Sequence, residues 1–87
     1  MIKYKQIYLK GMRYDVSDFI PCEVCGAKAV DIHHIHRRGI GGSKTADVLE
    51  NLMAVCRLCH DKYGDRPQFK EWLYDLHLKA VNKRKQL

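Results

Sequence analysis

Two short stretches decide how this chain folds: "CEVCG" at residues 22–26 and "CRLCH" at residues 56–60. Each holds a Cys-x-x-Cys pair, which places two sulfurs on one side of a tight turn, and 30 residues separate the two pairs. All four cysteines of the chain are used in this way: Cys22, Cys25, Cys56 and Cys59. A redox motif does not need a second copy, so this spacing predicts a four-thiolate zinc site over a redox pair or buried free thiols.

A zinc ion with four thiolate ligands has no open coordination position, so its predicted role is structural. It would join the turn before a histidine-rich strand to the start of the helix that carries His60. The side chains of the strand and of the helix would then keep fixed positions relative to each other.

The composition of the chain limits the possible folds and binding partners. With 87 residues, the chain is expected to form one domain over residues 1–87, with a core at about 21–64, and a metal is a reasonable aid to so small a core. We find no secretory leader and no apolar run near the ~20 residues of a membrane span. We therefore expect a reducing cytoplasmic location, where cysteines bind metals. The net charge of +6 and pI near 9.3 favour a polyanionic partner, most simply nucleic acid.

The pattern of residue types predicts a strand, a loop, a second strand and a helix. β-branched residues predict a strand at 29–35, and the glycines of 37–45 predict a loop. A short helical turn and a second strand at Leu52–Val55 should follow, then a helix from Cys56 or Arg57 to Gly64. Residues 1–20 fit neither the helix nor the strand period, so helix and ribbon both stay open.

A C-terminal amphipathic helix is predicted at about 66–84. Pro67 suits a first helical turn. The apolar residues that follow at helical spacing form a stripe expected to pack on the core: Phe69, Trp72, Leu73, Leu76 and Ala80.

The stretch "VDIHHIHRRGIGG" (residues 30–42) places three histidines within four positions, in an apolar frame. The zinc ligands should bring His33 and His34 close to His60, with Asn51 between them along the chain. Converging imidazoles favour a metal site over a buried structural histidine. Adjacent residues of an ideal strand face opposite sides, so His33 and His34 share one site only if the strand twists or ends there. By alternation, His34 and His36 would share a face, which leaves His36 open as an alternative ligand or a phosphate contact.

The segments "DIHHI", "ENL" and "CRLCH" together resemble the HNH endonucleases, in the subgroup whose motif is framed by two Cys-x-x-Cys knuckles. The resemblance covers about residues 21–63. It implies a small α+β metal-bound domain with a ββα-metal (HNH, or His-Me finger) core. In that family, His34 would be the general base, Asn51 the residue that orients it, and His60 a ligand of the catalytic divalent cation. His33 would be the second metal ligand.

The resemblance therefore implies a metal-dependent DNA endonuclease that nicks or cuts both strands and leaves 5′ phosphate and 3′ hydroxyl ends. Besides the structural Zn²⁺, one catalytic divalent cation is expected: Mg²⁺, Mn²⁺, Ni²⁺, Co²⁺ or Zn²⁺. Some family members carry a further metal histidine where this chain has Gly64, so only two protein ligands are expected. Small HNH proteins of this type occur in phages, which implies phage DNA-packaging or other phage proteins as partners and the cytoplasm of a bacterial host as location.

Basic residues near the motif are expected to contact DNA phosphates, which position a strand without reading its sequence. These residues are His36, Arg37, Arg38, Lys44, Arg57 and Lys62. The alternative is a non-catalytic zinc-ribbon module that binds nucleic acid. Such a module would keep the cysteines and the basic loop but would not need His34, Asn51 and His60 together.

Overall fold

The computed structural model describes residues 3–36 and 48–86, which form a small α+β fold. Its helices and strands follow the order α1 (Lys3–Met12), β1 (Asp31–His34), β2 (Leu52–Val55), α2 (Arg57–Tyr63) and α3 (Lys70–Lys85). Short 3-10 turns precede β2 and α3, at Leu49–Asn51 and Pro67–Phe69. Over these two described ranges, no helix is long and apolar enough to cross a membrane.

The two strands pair antiparallel and give the molecule its two faces. Asp31 lies opposite Val55 and His34 opposite Leu52. Alternation along β1 directs Asp31 and His33 to one side and Ile32 and His34 to the other. All four residues of β2 are buried, because the sheet is covered on both sides. The prediction of β2 is confirmed, whereas β1 is shorter than the predicted strand at 29–35.

Each face of the sheet packs against its own apolar cluster. On the face of His33, which we call the α2 face, one cluster gathers Cys22, Ile35, Met53, Val55, Cys59 and Leu73. On the face of His34, the α1 face, the other cluster gathers Tyr8, Met12, Leu52, Ala54 and Val81. Helix α3 joins both, since Leu73 lies in the first cluster and Val81 in the second.

The predicted apolar stripe packs on the core except at Trp72. Leu73 is buried, and Phe69, Leu76 and Ala80 are partly buried against the two clusters, but Trp72 is 42% exposed. The other buried positions are His77 and Val81, each one step of four residues further on. The prediction missed His77 because a histidine scores as polar, whereas its ring here is held by two buried partners. Arg84 fixes the far end of α3 by donating from Nε to the carbonyl oxygen of Met12 over 2.8 Å.

A buried polar network links the cysteine turn to the helices. The Glu23 carboxylate lies 2.7 Å from Nδ1 of His77, and it accepts hydrogen bonds from the Tyr8 hydroxyl and the Ala54 backbone N–H. The other ring nitrogen of His77 lies 2.6 Å from the carbonyl oxygen of Leu49. With Glu23 ionised, both partners of His77 are acceptors, so the protonated ring satisfies both contacts with one hydrogen on each nitrogen. Glu23 and protonated His77 then form a buried ion pair.

Candidate functional site

The four cysteines come together from two turns. Cys22 and Cys25 lie in the turn before β1, and Gly26 completes it with a φ of +84°, a conformation that glycine adopts without strain. Cys56 follows β2 and caps α2, since its sulfur accepts from the backbone N–H of Cys59. Ligand atoms of all four residues lie within 4.8 Å of one another.

The thiols of this cluster compete for ionisation. Burial opposes ionisation of Cys22, but the backbone N–H groups of Cys25, Cys56 and Val24 outweigh it and lower its pKa to about 7. Burial and the neighbouring sulfurs raise the pKa of Cys59. Four thiolates this close repel one another unless a cation lies between them. The donor set thus fits a divalent ion that prefers sulfur, and it indicates a structural zinc site.

A second cluster lies on the α2 face. His33 of β1, His60 of α2 and Asp65 place one ligand atom each within 4.8 Å of one another, and the rings of His33 and His60 are 5.0 Å apart between centroids. Two imidazoles and one carboxylate are a donor set for a divalent metal. Three protein side chains, instead of the expected two, thus surround this candidate metal site.

The backbone at the end of α2 brings Asp65 into this cluster. A Cβ atom on Gly64 would lie 2.5 Å from the carbonyl oxygen of His60 and 2.6 Å from its ring, so no larger residue fits there unchanged. Asp65 follows with a φ of +57°, a left-handed conformation that aspartate tolerates better than most residues. The chain thereby turns back, and the carboxylate approaches the two histidines. Gly64 itself offers no side-chain ligand, and the next residue supplies the third donor.

Asp31 orients the ring of His60. One carboxylate oxygen of Asp31 lies 3.1 Å from Nδ1 of His60, and the other accepts from Arg57 at 3.1 Å. When Nδ1 carries the hydrogen and donates it to Asp31, Nε2 keeps its lone pair for a metal.

His33 is prepared to bind a metal in a different way. Its side chain is buried, and burial, followed by the charge that His60 carries when protonated, lowers its pKa below the ordinary histidine value. The ring is therefore neutral at physiological pH. A neutral imidazole has the lone pair that a ligand needs.

His34, the sequence-predicted base, points to the opposite face from His33. Its ring meets Tyr4 of α1 edge to face, with the centroids 4.9 Å apart. His34 is the last residue of β1, and its side chain is only partly buried. The geometry thus follows simple alternation, with one histidine on each side of the strand end. The structure brings His33 to His60 as expected, but it does not bring His34 to that pair.

Asn51 is buried in the 3-10 turn just before β2 and holds the chain just beyond β1. Its side-chain oxygen accepts from the backbone N–H of His36 at 2.7 Å, and its amide donates to the carbonyl oxygen of His36 at 3.0 Å. Its own carbonyl oxygen accepts from Ile35. These bonds fix the segment that leaves the strand two residues after His34.

The residues expected to contact DNA lie in different surroundings. His36 is exposed, with its ring 5.6 Å from that of Tyr74. Arg57 is exposed and paired with Asp31, and the Lys62 ammonium lies 5.4 Å from the ring centre of Tyr63. The other three expected contacts fall outside the described residues: Arg37, Arg38 and Lys44.

The sequence interpretation missed two acidic residues of the site. Asp31 had a usable signal, since it stands two residues before His33 and a strand places such residues on one face. Asp65 had none, because its approach depends on a backbone turn after Gly64 that residue spacing does not reveal.

Comparison with known families matches residues 22–66, slightly more than half of the chain, to the HNH endonuclease family. The matched segment contains both cysteine pairs and the three residues of the His33 cluster. No curated protein and no solved structure matched the chain. The arrangement of two cysteine pairs around a β-β-α unit, with histidines on the first strand and the helix, agrees with that match. This chain belongs to the HNH endonuclease family.

Proposed function

We propose that this protein is a metal-dependent endonuclease that hydrolyses phosphodiester bonds of DNA. The observation that carries the proposal is the cluster of His33, His60 and Asp65 beside the four-cysteine site. Three protein donors leave coordination positions for water and substrate, which a structural site with four ligands lacks.

The cluster would hold one divalent cation through two imidazole nitrogens and one carboxylate oxygen. A divalent cation held there would supply the positive charge that offsets the negative charge developing in the transition state of phosphodiester hydrolysis. The side chains of the cluster and their neighbours are already arranged for metal binding. His33 is neutral because its pKa is lowered, and Asp31 holds the ring of His60.

His34 is proposed as the general base. A neutral imidazole takes a proton from the attacking water at physiological pH. The water oxygen forms a bond to phosphorus as the bond from phosphorus to the 3′ oxygen breaks. The 3′ oxygen then acquires a proton from solvent, which leaves a 5′ phosphate and a 3′ hydroxyl. His34 is partly exposed at the end of β1, on the face opposite His33. The proposal therefore places the scissile phosphate across the end of the strand, where it can approach both the ring of His34 and the candidate metal site.

Asn51 is proposed as a positioning residue. By binding both backbone polar groups of His36, it limits the movement of the strand end that carries His34. A general base must lie within hydrogen-bond reach of the proton it removes, so a fixed strand end favours the reaction.

Plasmid nicking with added Mn²⁺, Mg²⁺ or Ni²⁺ tests the proposal. Wild-type protein should convert supercoiled plasmid to nicked or linear product, and His34→Ala should lower the rate by about 10²–10⁴-fold, the usual contribution of a general base. The control is Asp61→Asn, an exposed residue next to His60 on α2, which should cut at the wild-type rate.

Two results would contradict parts of the proposal. Cleavage that persists in His34→Ala would remove the general-base role while leaving a nuclease. DNA binding without cleavage under any of the metals would instead favour the non-catalytic zinc-ribbon module. In that case Asp65→Ala would be expected to leave DNA binding unchanged.

A further inference from the structure

The start of α3 is held close to the candidate metal site. The 3-10 turn Pro67–Phe69 begins two residues after Asp65 and leads into Lys70, whose backbone N–H donates to the carbonyl oxygen of Pro67. A 3-10 turn rises only about 2.0 Å per residue, so this segment stays compact. The ring of Phe69 meets that of Tyr63, the last residue of α2, with the centroids 5.0 Å apart. The first turn of α3 is thereby held against the helix that carries His60.

Lys70, the first residue of α3, lies toward the end of β1. Residues four apart share one face of a helix, so Lys70 and Tyr74 are neighbours on α3. Tyr74 packs on the apolar cluster of the α2 face, and its ring is 5.6 Å from that of His36, two residues beyond β1. Lys70 therefore lies between the end of α2 and the end of β1. Its charge acts on this site, since burial is the main cause that lowers the pKa of His33 and the charge of Lys70 adds to it.

The positive charge of Lys70 is unfavourable at this position by itself. An ammonium group and a divalent cation repel each other when no anion lies between them. The first turn of a helix is also partly positive, so a cation there does not stabilise α3. Lys70 is half-buried, and no carboxylate of the described residues, Asp65 included, forms an ion pair with it. Metal binding, helix stability and ion pairing therefore do not account for a lysine here.

The basic residues of α2 are already engaged with other groups. Arg57 is paired with Asp31, and the Lys62 ammonium lies 5.4 Å from the ring centre of Tyr63. Lys70 has no such partner among the described residues. An anion placed between Lys70 and a cation at the metal site would be attracted by both, which turns the repulsion into a favourable arrangement.

We propose that Lys70 is a catalytic residue that contacts the scissile phosphate of DNA and stabilises the negative charge that develops on its non-bridging oxygens. The inference rests on the proposed function, since it takes the His33 cluster as the place of cleavage. Lysine is a compact point charge that suits contact with a single phosphate oxygen. The reaction itself is unchanged: water adds to phosphorus, the 3′ oxygen leaves, and Lys70 keeps its proton and acts by charge alone.

Plasmid nicking by Lys70→Met under saturating Mn²⁺ tests this role. Methionine keeps an unbranched apolar chain but removes the charge. The kcat should fall by about 10²-fold, because removal of one group that stabilises charge in the transition state costs about 10²–10³-fold. The KM should change less than kcat. Lys70→Arg should recover most of the rate, and the control Lys79→Met, an exposed lysine further along α3, should cut at the wild-type rate.

Metal binding and thermal unfolding separate this role from a structural one. Titration calorimetry with Mn²⁺ on zinc-loaded protein, without DNA, should give Lys70→Met an affinity equal to or higher than that of the wild type, since a repelling charge is removed. The melting temperature should be equal or higher, because the first turn of α3 loses an unfavourable charge. Weaker Mn²⁺ binding or a lower melting temperature together with lost cleavage would show that Lys70 supports the fold, and would overturn the proposal.

The wild-type protein makes the failure of this proposal distinguishable from that of the proposed function. No cleavage by the wild type with any metal contradicts the endonuclease function itself. Cleavage by Lys70→Met at the wild-type kcat contradicts the catalytic role of Lys70 alone. A raised KM with an unchanged kcat does so as well, because it shows an interaction that is equally strong in the ground state and the transition state.

Discussion

The two metal-binding clusters share one short helix but differ in chemistry. Cys59 and His60 are neighbours at the start of α2, yet one belongs to a set of four sulfurs and the other to two imidazoles and a carboxylate. The sulfur set is complete with four protein ligands, whereas the second set has three and is partly exposed. A closed set suits folding and an open set suits exchange of ligands. One helix can serve both because successive residues point in different directions.

The surroundings of the two clusters differ in the same sense. Backbone N–H groups and neighbouring sulfurs set the ionisation of the cysteines. A side chain, Asp31, orients His60 in the other cluster. The backbone of the two turns thus fixes the positions of the four cysteines in the first cluster. The second depends on individual side chains, so single substitutions can alter it without unfolding the protein.

The largest effect is expected from Cys56→Ser. Structural zinc contributes on the order of 10–16 kcal/mol in small metal-dependent folds, which is comparable with the whole stability of about 5–15 kcal/mol of a typical domain. The variant should therefore lose its zinc equivalent and its cooperative thermal transition. Zinc content by atomic emission and circular dichroism check this. The control is Lys28→Ser, an exposed position in the same turn as Cys25, which should keep its zinc and its cooperative transition. A folded Cys56→Ser protein with full zinc content would refute the structural role of the zinc site.

An intermediate effect is expected from Asp31→Asn. Asparagine lacks the charge and can present its amide to the ring of His60, which favours the wrong tautomer. Affinity of the second cluster for Mn²⁺ or Ni²⁺ should fall by about 10–100-fold, the usual range for such partners of a metal ligand. Titration calorimetry on zinc-loaded protein measures it. The zinc content should not change, and Asp75→Asn, an exposed aspartate of α3, should bind as wild type. Equal affinities in all three proteins would show that Asp31 does not support His60.

The smallest effect concerns pH and the ion pair that joins the cysteine turn to α3. Burial by itself lowers the pKa of His77, but the hydrogen bond and the charge of Glu23 outweigh it, so the pKa lies above its ordinary value. Between the unfolded pKa of about 6.5 and this raised value, the native state binds more protons than the unfolded state. The stabilisation is therefore complete below about 6.5 and is lost as pH rises through the raised pKa.

Urea unfolding at several pH values from 6 upward measures this loss. The free energy of unfolding should fall by at most about 1.4 kcal/mol per pH unit within the window. His77→Gln keeps the cysteines but lacks the titrating ring, so it should show a shallower pH dependence. Parallel profiles for both proteins would exclude a contribution from His77.

The sequence determined the cysteine frame, β2, the bounds of α2 and the approach of His33 to His60, whereas the predicted approach of His34 to that pair is not observed. Each of the first three features depends on residues that lie close together in the sequence: the spacing within a cysteine pair, a run of strand-forming residues, or a glycine at the end of a helix. The family match confirms the HNH interpretation that the same residues supported. The roles of His34, Asn51 and His60 stay predictions.

Only the tertiary structure decided which side chains meet. Asp65 joins the histidines through a positive φ after Gly64, and Tyr4 reaches His34 across 30 positions of chain because α1 packs on that face. His77 is buried in α3 because Glu23 and Leu49 supply acceptors from distant segments. Periodicity describes which residues share a face of one element, but it contains no information on the partner that covers the face. The sequence therefore specified the cysteine frame and two histidines of the second metal-ligand set. The turn after Gly64 supplied its third member, and the packing of α1 and α3 specified the surroundings of both sets.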